Sequence, residues 1–147
     1  MDMNNADAFR VMELGMQGYN CSQILMLLAL EAQHKENPDL VRAMTGLVGG
    51  MSCGKNCGTL TAGCCLLGLY AGKGTPDANA DDRLEPMLHS FVEWFESEFK
   101  PRYGGIDCAV ILEDDARNRL ARCPSIMLES LAKLKEILAE NGYAFAA

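Results

Sequence analysis

The chain has 147 residues, 49% of them hydrophobic and 22% charged, with a net charge of −7 and seven cysteines. That length suits one domain, residues 1–147, which can bury about two-thirds of its unfolded surface without disulfide staples. An acidic chain with no basic block and no aromatic-basic stripe excludes nucleic acid and anionic membranes as partners.

Residues 7–16 predict a short amphipathic helix with Phe9, Met12 and Met16 on its apolar face, ended by Gly18. From Cys21 to about His34 the run Ile24, Leu25, Leu27, Leu28 and Leu30 is apolar almost all round, the pattern of a central helix buried on several sides. Asn37-Pro38 starts a third helix over about 39–48, with Leu40, Val41, Met44 and Leu47 at helical spacing. Gly49 to Lys55 is glycine-rich and reads as a loop. Helical patterning resumes from Cys57 to about Ala71, with Leu60, Cys64, Leu67 and, at the margin, Cys65 facing inward. Gly58, Thr59, Ala62, Gly63 and Gly68 there let another backbone come close.

The acidic stretch 79–82 leads into a helix carrying Leu84, Leu88, Phe91, Val92, Phe95 and Phe99, in which Pro86 implies a kink or a later start. The chain breaks at 100–105, Cys108 to Leu112 is a short apolar segment, and residues 113–122 carry no clear pattern. Pro124 to Glu140 is an amphipathic helix closed by Asn141-Gly142. No stretch alternates over strand length. The predicted fold is all-α, a compact bundle of about five to six helices with a Gly-rich loop.

Four cysteines fall where these helices are expected to begin: Cys21 after Asn20, Cys57 after Asn56, Cys108 after Asp107, and Cys123 before Pro124. Asn and Asp cap helices and Pro favours their first turn, so each thiol would face unpaired N–H groups and the positive end of a helix dipole. Such a place favours the thiolate, which is both the nucleophile of disulfide chemistry and a soft ligand for iron or zinc. Cysteine also serves as small apolar filler. Cys64 and Cys65, set among leucines, read that way, whereas Cys53, four residues before Cys57 across the loop, reads as an auxiliary thiol. No Cys-x-x-Cys occurs, so any centre has to be assembled by the fold.

Other motifs fall short. Gly49 to Lys55 holds most of a phosphate-binding loop, but Asn56 replaces the Ser or Thr that binds magnesium and no strand precedes it. Glu31 and His34 have di-iron spacing without the second copy such sites need. Two histidines and no Ser-His-Asp logic oppose hydrolytic chemistry. The first residues lack the regions of a signal peptide, and the apolar run 24–30 is too short to span a bilayer. A cytoplasmic protein is therefore expected, with thiols that are free, catalytic or metal-bound.

The ordered set Gly18-Tyr19-Asn20-Cys21-Ser22-Gln23, then Cys57-Gly58-Thr59-Leu60-Thr61-Ala62-Gly63, then Cys108 and Cys123, resembles the C_GCAxxG_C_C family over nearly the whole chain. Thr59 stands where the name motif has alanine, and Ala62 lengthens the interval to Gly63. The resemblance implies a small redox protein of bacteria or archaea with four characteristic cysteines, here Cys21, Cys57, Cys108 and Cys123. Three functions are then expected. In the first, these four, with Cys53 auxiliary, carry thiol-disulfide exchange or electron transfer to a redox protein or small molecule, as in a thiol-based oxidoreductase; Cys21 with Cys57 and Cys108 with Cys123 is one pairing. In the second, the same four hold an iron–sulfur cluster or zinc. The third is a helical interaction module with structural thiols. Assembly as a homo-oligomer stays open.

Overall fold

A computed structural model describes residues 5–145. These residues form seven α-helices: α1 (Asn5–Met16), α2 (Cys21–Ala32), α3 (Pro38–Ala43), α4 (Gly58–Ala71), α5 (Leu84–Tyr103), α6 (Cys108–Leu112) and α7 (Asn118–Glu140). A 3-10 turn, Met44–Leu47, continues α3. Among the described residues there is no strand, only an antiparallel bridge between Asn56 and Asp107.

The apolar patterns explain the packing. α2, apolar nearly all round, touches α1, α3, α4 and α7, and α4 is wedged against α2, α5 and α7. α4 fits there because its inner positions are small. A methyl group on Gly63 would stand 2.3 Å from the Phe91 ring of α5, so glycine is what lets these two helices meet. Behind that contact α5 presents Phe91, Phe95 and Phe99, one helical turn apart and fully buried, with the rings of Phe95 and Phe99 4.6 Å apart. This aromatic row packs against Leu66 and Leu67 of α4 and Leu134 and Leu138 of α7. A second cluster joins α1, α2 and α7 through Val11, Leu14, Leu25, Met26 and Leu131.

Three local readings are corrected. In α1 the buried residues are Val11 and Leu14, while Phe9, Met12 and Met16 are 71%, 65% and 88% exposed. The helix rests on its neighbours through the narrower stripe and leaves the larger side chains outside. In α5 the correction is at the end expected near residue 100; its beginning at Leu84 is the later start that Pro86 implied, with the proline in the first turn, where its missing N–H has no helical partner to lose. It runs on through Pro101 to Tyr103, and Gly104, at φ 88°, ends it. α7 begins at Asn118, six residues before Pro124. Its first turns are tied to the end of α6: the Asn118 side-chain amide donates to the Leu112 carbonyl at 2.8 Å, and the Arg122 guanidinium donates to that of Ile111. Those bonds satisfy carbonyls that a short helix leaves open.

The glycine-rich segment is a wide turn, Gly50–Gly54, entered through Gly49, and Gly49, Gly50, Met51, Ser52 and Gly54 all have positive φ. It is a loop, as its composition implies. No helix of the described residues is long and apolar enough to cross a membrane.

Candidate functional site: a cavity lined by four thiols

Three connections bring the beginnings of α2, α4 and α6 together. The extended residues before α4 and α6 lie antiparallel, with the Cys57 N–H donating to the Ile106 carbonyl at 3.0 Å and the Cys108 N–H to the Lys55 carbonyl at 2.6 Å. The bridge sets Asn56 opposite Asp107, so Cys57 and Cys108, each one residue further along its own extended segment, open α4 and α6 from the same pair of segments. The start of α2 is fixed from the other side. The Ser22 hydroxyl, fully buried, donates to the Met44 carbonyl at 2.7 Å, and the Gln23 side chain reaches Thr45 Oγ1 at 3.1 Å and accepts from the Asn20 N–H at 3.3 Å. Finally, Gly58 lies directly against Cys21, so the first turn of α4 meets the first turn of α2 at its thiol.

The result is a cavity of about 620 Å³ lined by Cys21, Cys57, Cys108 and Cys123 together. Its walls are otherwise mostly apolar: Met12 and Met16 from α1, Ile24 from α2, Ile111 from α6, and Leu120, Ile126 and Met127 from α7. Tyr19, Asn20, Thr59 and Arg119 are its polar residues besides the thiols. Concave, largely apolar pockets of this size with a few convergent polar groups are the usual form of a small-molecule site.

The family model described as "putative redox-active protein (C_GCAxxG_C_C)" matches residues 19–137, a span that includes all four of these thiols. The chain belongs to the C_GCAxxG_C_C family. Redox activity is the functional class that this membership supports. No curated protein and no solved structure matches the chain.

In this C_GCAxxG_C_C protein the thiols are not all at helix starts. Cys21 opens α2 and Cys108 opens α6, and Cys57 is itself the residue that caps α4. Cys123 lies in the second turn of α7, because that helix begins at Asn118, upstream of Pro124. α6, at five residues, is also too short to develop much dipole.

The expected ionised thiols are corrected as well. Burial raises every one of the four above the ordinary thiol value. It pushes Cys57 to about 11 and Cys123 to about 12, and it raises Cys21 and Cys108. Opposing that burial, backbone N–H groups at the helix starts and the Thr59 side chain favour the thiolate at Cys21 and Cys57. The positive charge of Arg119 does the same at Cys21, Cys108 and Cys123. Burial wins at all four, so they stand as protonated thiols at neutral pH. Each thiolate formed would also repel its neighbours: Cys123 feels Cys21, Cys57 and Cys108.

The remaining cysteines lie elsewhere. Cys53 is exposed on the wide turn and does not line the cavity. Cys64 is half-buried beside the aromatic core, and Cys65 is exposed rather than core filler, since it lies on the side of α4 that faces away from the packing. All seven are free thiols. As for a metal or cluster, no group of three or more His, Cys, Asp or Glu side chains among the described residues is placed to hold an ion. The four sulfurs share a cavity without forming such a group. Glu31 pairs with Arg10 of α1 at 2.5 Å, and His34 is exposed at the end of α2, so their spacing is a surface feature.

Sequence reasoning missed Arg119 and the part played by α1. Arg119 precedes Cys123 by four residues, which is one helical turn, but the relation is visible only once α7 is known to start at Asn118.

Proposed function

We propose that Cys21, Cys57, Cys108 and Cys123 form a pair of dithiols that exchange electron pairs with a small disulfide substrate. The observation that carries this reading is the single cavity that all four line, in a chain of a redox-active family. Thiol-disulfide exchange needs an accessible thiol that can ionise and a second thiol close by to resolve the mixed disulfide.

Cys108 is the proposed attacking thiol. It is less buried than Cys57, and the charge of Arg119 favours its thiolate. After giving its proton to solvent, its sulfur attacks one sulfur of the substrate RS–SR, forming a mixed disulfide and releasing RS⁻. The Cys123 thiol then loses its proton and attacks the Cys108 sulfur, closing a protein disulfide and releasing the second RS⁻. The two protons lost by the protein end on the two RSH products, so two electrons pass from dithiol to substrate. Cys21 and Cys57, brought together by the close approach of Gly58, form the second pair and repeat the step.

The test is to poise the protein anaerobically at a series of thiol-disulfide potentials, alkylate the free thiols and locate them by peptide mass spectrometry. Cys21, Cys57, Cys108 and Cys123 should become protected together as two disulfides, with Cys53, Cys64 and Cys65 still alkylated. Four thiols that stay reduced at every potential, or an iron chromophore in the anaerobic protein, would overturn the proposal.

A further inference from the structure

We infer that the cavity is a site for a small, largely apolar molecule bearing one anionic group, seated with that group on Arg119 and its apolar body among the methionines and isoleucines. Resting on the dithiol reading of the same cavity, the substrate is then a disulfide that carries a carboxylate or sulfonate.

The charge pattern of the chain points to this. Of its seven arginines, Arg10, Arg42, Arg83, Arg102, Arg117 and Arg122 are all held in ion pairs with Asp or Glu. Arg119 has no ion pair among the described residues, although Asp and Glu outnumber Lys and Arg by 20 to 13. Among those residues it is also the one charged side chain that lines the cavity. A guanidinium left unpaired in an acidic protein keeps its five donors free, and their fork matches the two oxygens of a carboxylate. Lys35, Lys55, Lys73 and Lys100 also lack an ion pair among the described residues, but none of them lines the cavity, so Arg119 is the cation that an anion inside it would meet.

The apolar half of the ligand follows from the walls. Met12, Met16 and Leu120 are large side chains left 65%, 88% and 87% exposed, and all three line this cavity. A ligand with an apolar body covers them and removes their surface from water. Methionine side chains adapt to varied shapes, which suits a mouth that closes around its guest.

Two aromatic disulfides separate the parts of this argument: 5,5′-dithiobis(2-nitrobenzoate), which carries carboxylates, and 2,2′-dithiodipyridine, which is neutral. Their rates of reaction are compared on the reduced full chain, on Arg119→Gln and on Arg119→Lys. Loss of one charge-assisted contact should slow the anionic reagent about tenfold in Arg119→Gln relative to the neutral one, with Arg119→Lys recovering most of the difference. Equal slowing of both reagents, or of neither, overturns the anion site.

Binding of the unreactive 1-anilinonaphthalene-8-sulfonate, against neutral N-phenyl-1-naphthylamine, keeps this distinct from the redox proposal. If Arg119→Gln weakens the sulfonate alone while the four thiols fail to exchange with either disulfide, the anion site stands and the dithiol reading falls. If both disulfides oxidise the four thiols with no dependence on charge, the dithiol reading stands and the anion site falls.

Discussion

The sulfur of Cys21 lies against the α-carbon of Gly58: a methyl group at Gly58 would stand 3.0 Å from that sulfur and 2.9 Å from the carbonyl oxygen of Leu47. The carbonyl is backbone of the 3-10 turn and cannot swing away, so alanine here has to push the start of α4 off that turn and off the Cys21 sulfur of α2. We expect Gly58→Ala to cost about 1–3 kcal/mol, the range for overpacking a close contact. The same displacement should hinder a disulfide between Cys21 and Cys57. Urea unfolding of the reduced protein gives the first effect, and the yield of that disulfide under mild oxidation gives the second. Stability and yield equal to the parent protein would show that the two helix starts do not meet this closely.

Burial of the thiols has a consequence for pH. Cys57 is pushed to about 11 and Cys123 to about 12, from an ordinary value of 9.0. Their folded values lie above their unfolded ones, so the folded state holds these protons more tightly. Its stability is whole below about pH 9 and falls as pH rises from there through 11 to 12. Each group adds a slope of at most about 1.4 kcal/mol per pH unit in that window. Urea midpoints at about pH 8 and about pH 10.5, on the parent and on Cys57→Ser and Cys123→Ser, provide the measurement. The parent should lose stability with pH and each variant should lose less; an unchanged difference in both variants contradicts the assignment.

How far the chain could be read before its coordinates depended on whether local or distant forces decide each element. The helices α2, α4 and α7 carry apolar residues at helical spacing, α2 almost all round and α7 along one face, and those patterns were enough for the type of each element, though not for where α7 starts. α1 misled because Phe9, Met12 and Met16 form the larger stripe, whereas Val11 and Leu14 fit the space between α2 and α7. Pro124 misled in a similar way. Proline is favoured in the first turn, but here Asn118 and Arg122 gain the open carbonyls of α6, and that tertiary gain carries the helix six residues further back. The identity of the four cavity thiols was legible as types and order. Their ionisation was not, because a helix start favours a thiolate only as far as desolvation permits, and burial is a property of the whole fold.

Ser22, next to Cys21, offers a test of how α2 is held in place. Its hydroxyl donates to the Met44 carbonyl at 2.7 Å in a fully buried setting. Ser22→Ala leaves that carbonyl without this donor and away from water, at a cost of about 1–3 kcal/mol. The effect should reach the cavity, since Cys21 is covalently joined to the anchor. A drop in stability together with faster alkylation of Cys21 is the expected result, measured by urea unfolding and by peptide mapping after brief exposure to iodoacetamide. A stability within error of the parent would mean that water replaces the hydroxyl without loss.

The wall formed by α1 should be the part of the cavity that opens most readily. Val11 and Leu14 are its buried residues, and Gly15 weakens its last turn. It is held down further by two ion pairs, Lys135 with Asp7 at 2.6 Å and Arg10 with Glu31 at 2.5 Å. Partly exposed pairs of this kind contribute about 0–1 kcal/mol each and weaken with salt. By contrast, α4 is packed on three helices and buries Leu60, Leu66 and Leu67. Opening α1 alone exposes little apolar surface, so it should need far less free energy than unfolding the chain. Hydrogen exchange should therefore show amides of α1 exchanging at least about a hundredfold faster than those at the centre of α4, with the gap widening as salt is added. Equal protection of the two helices would mean that α1 is part of the rigid core and that a ligand reaches the thiols by another route.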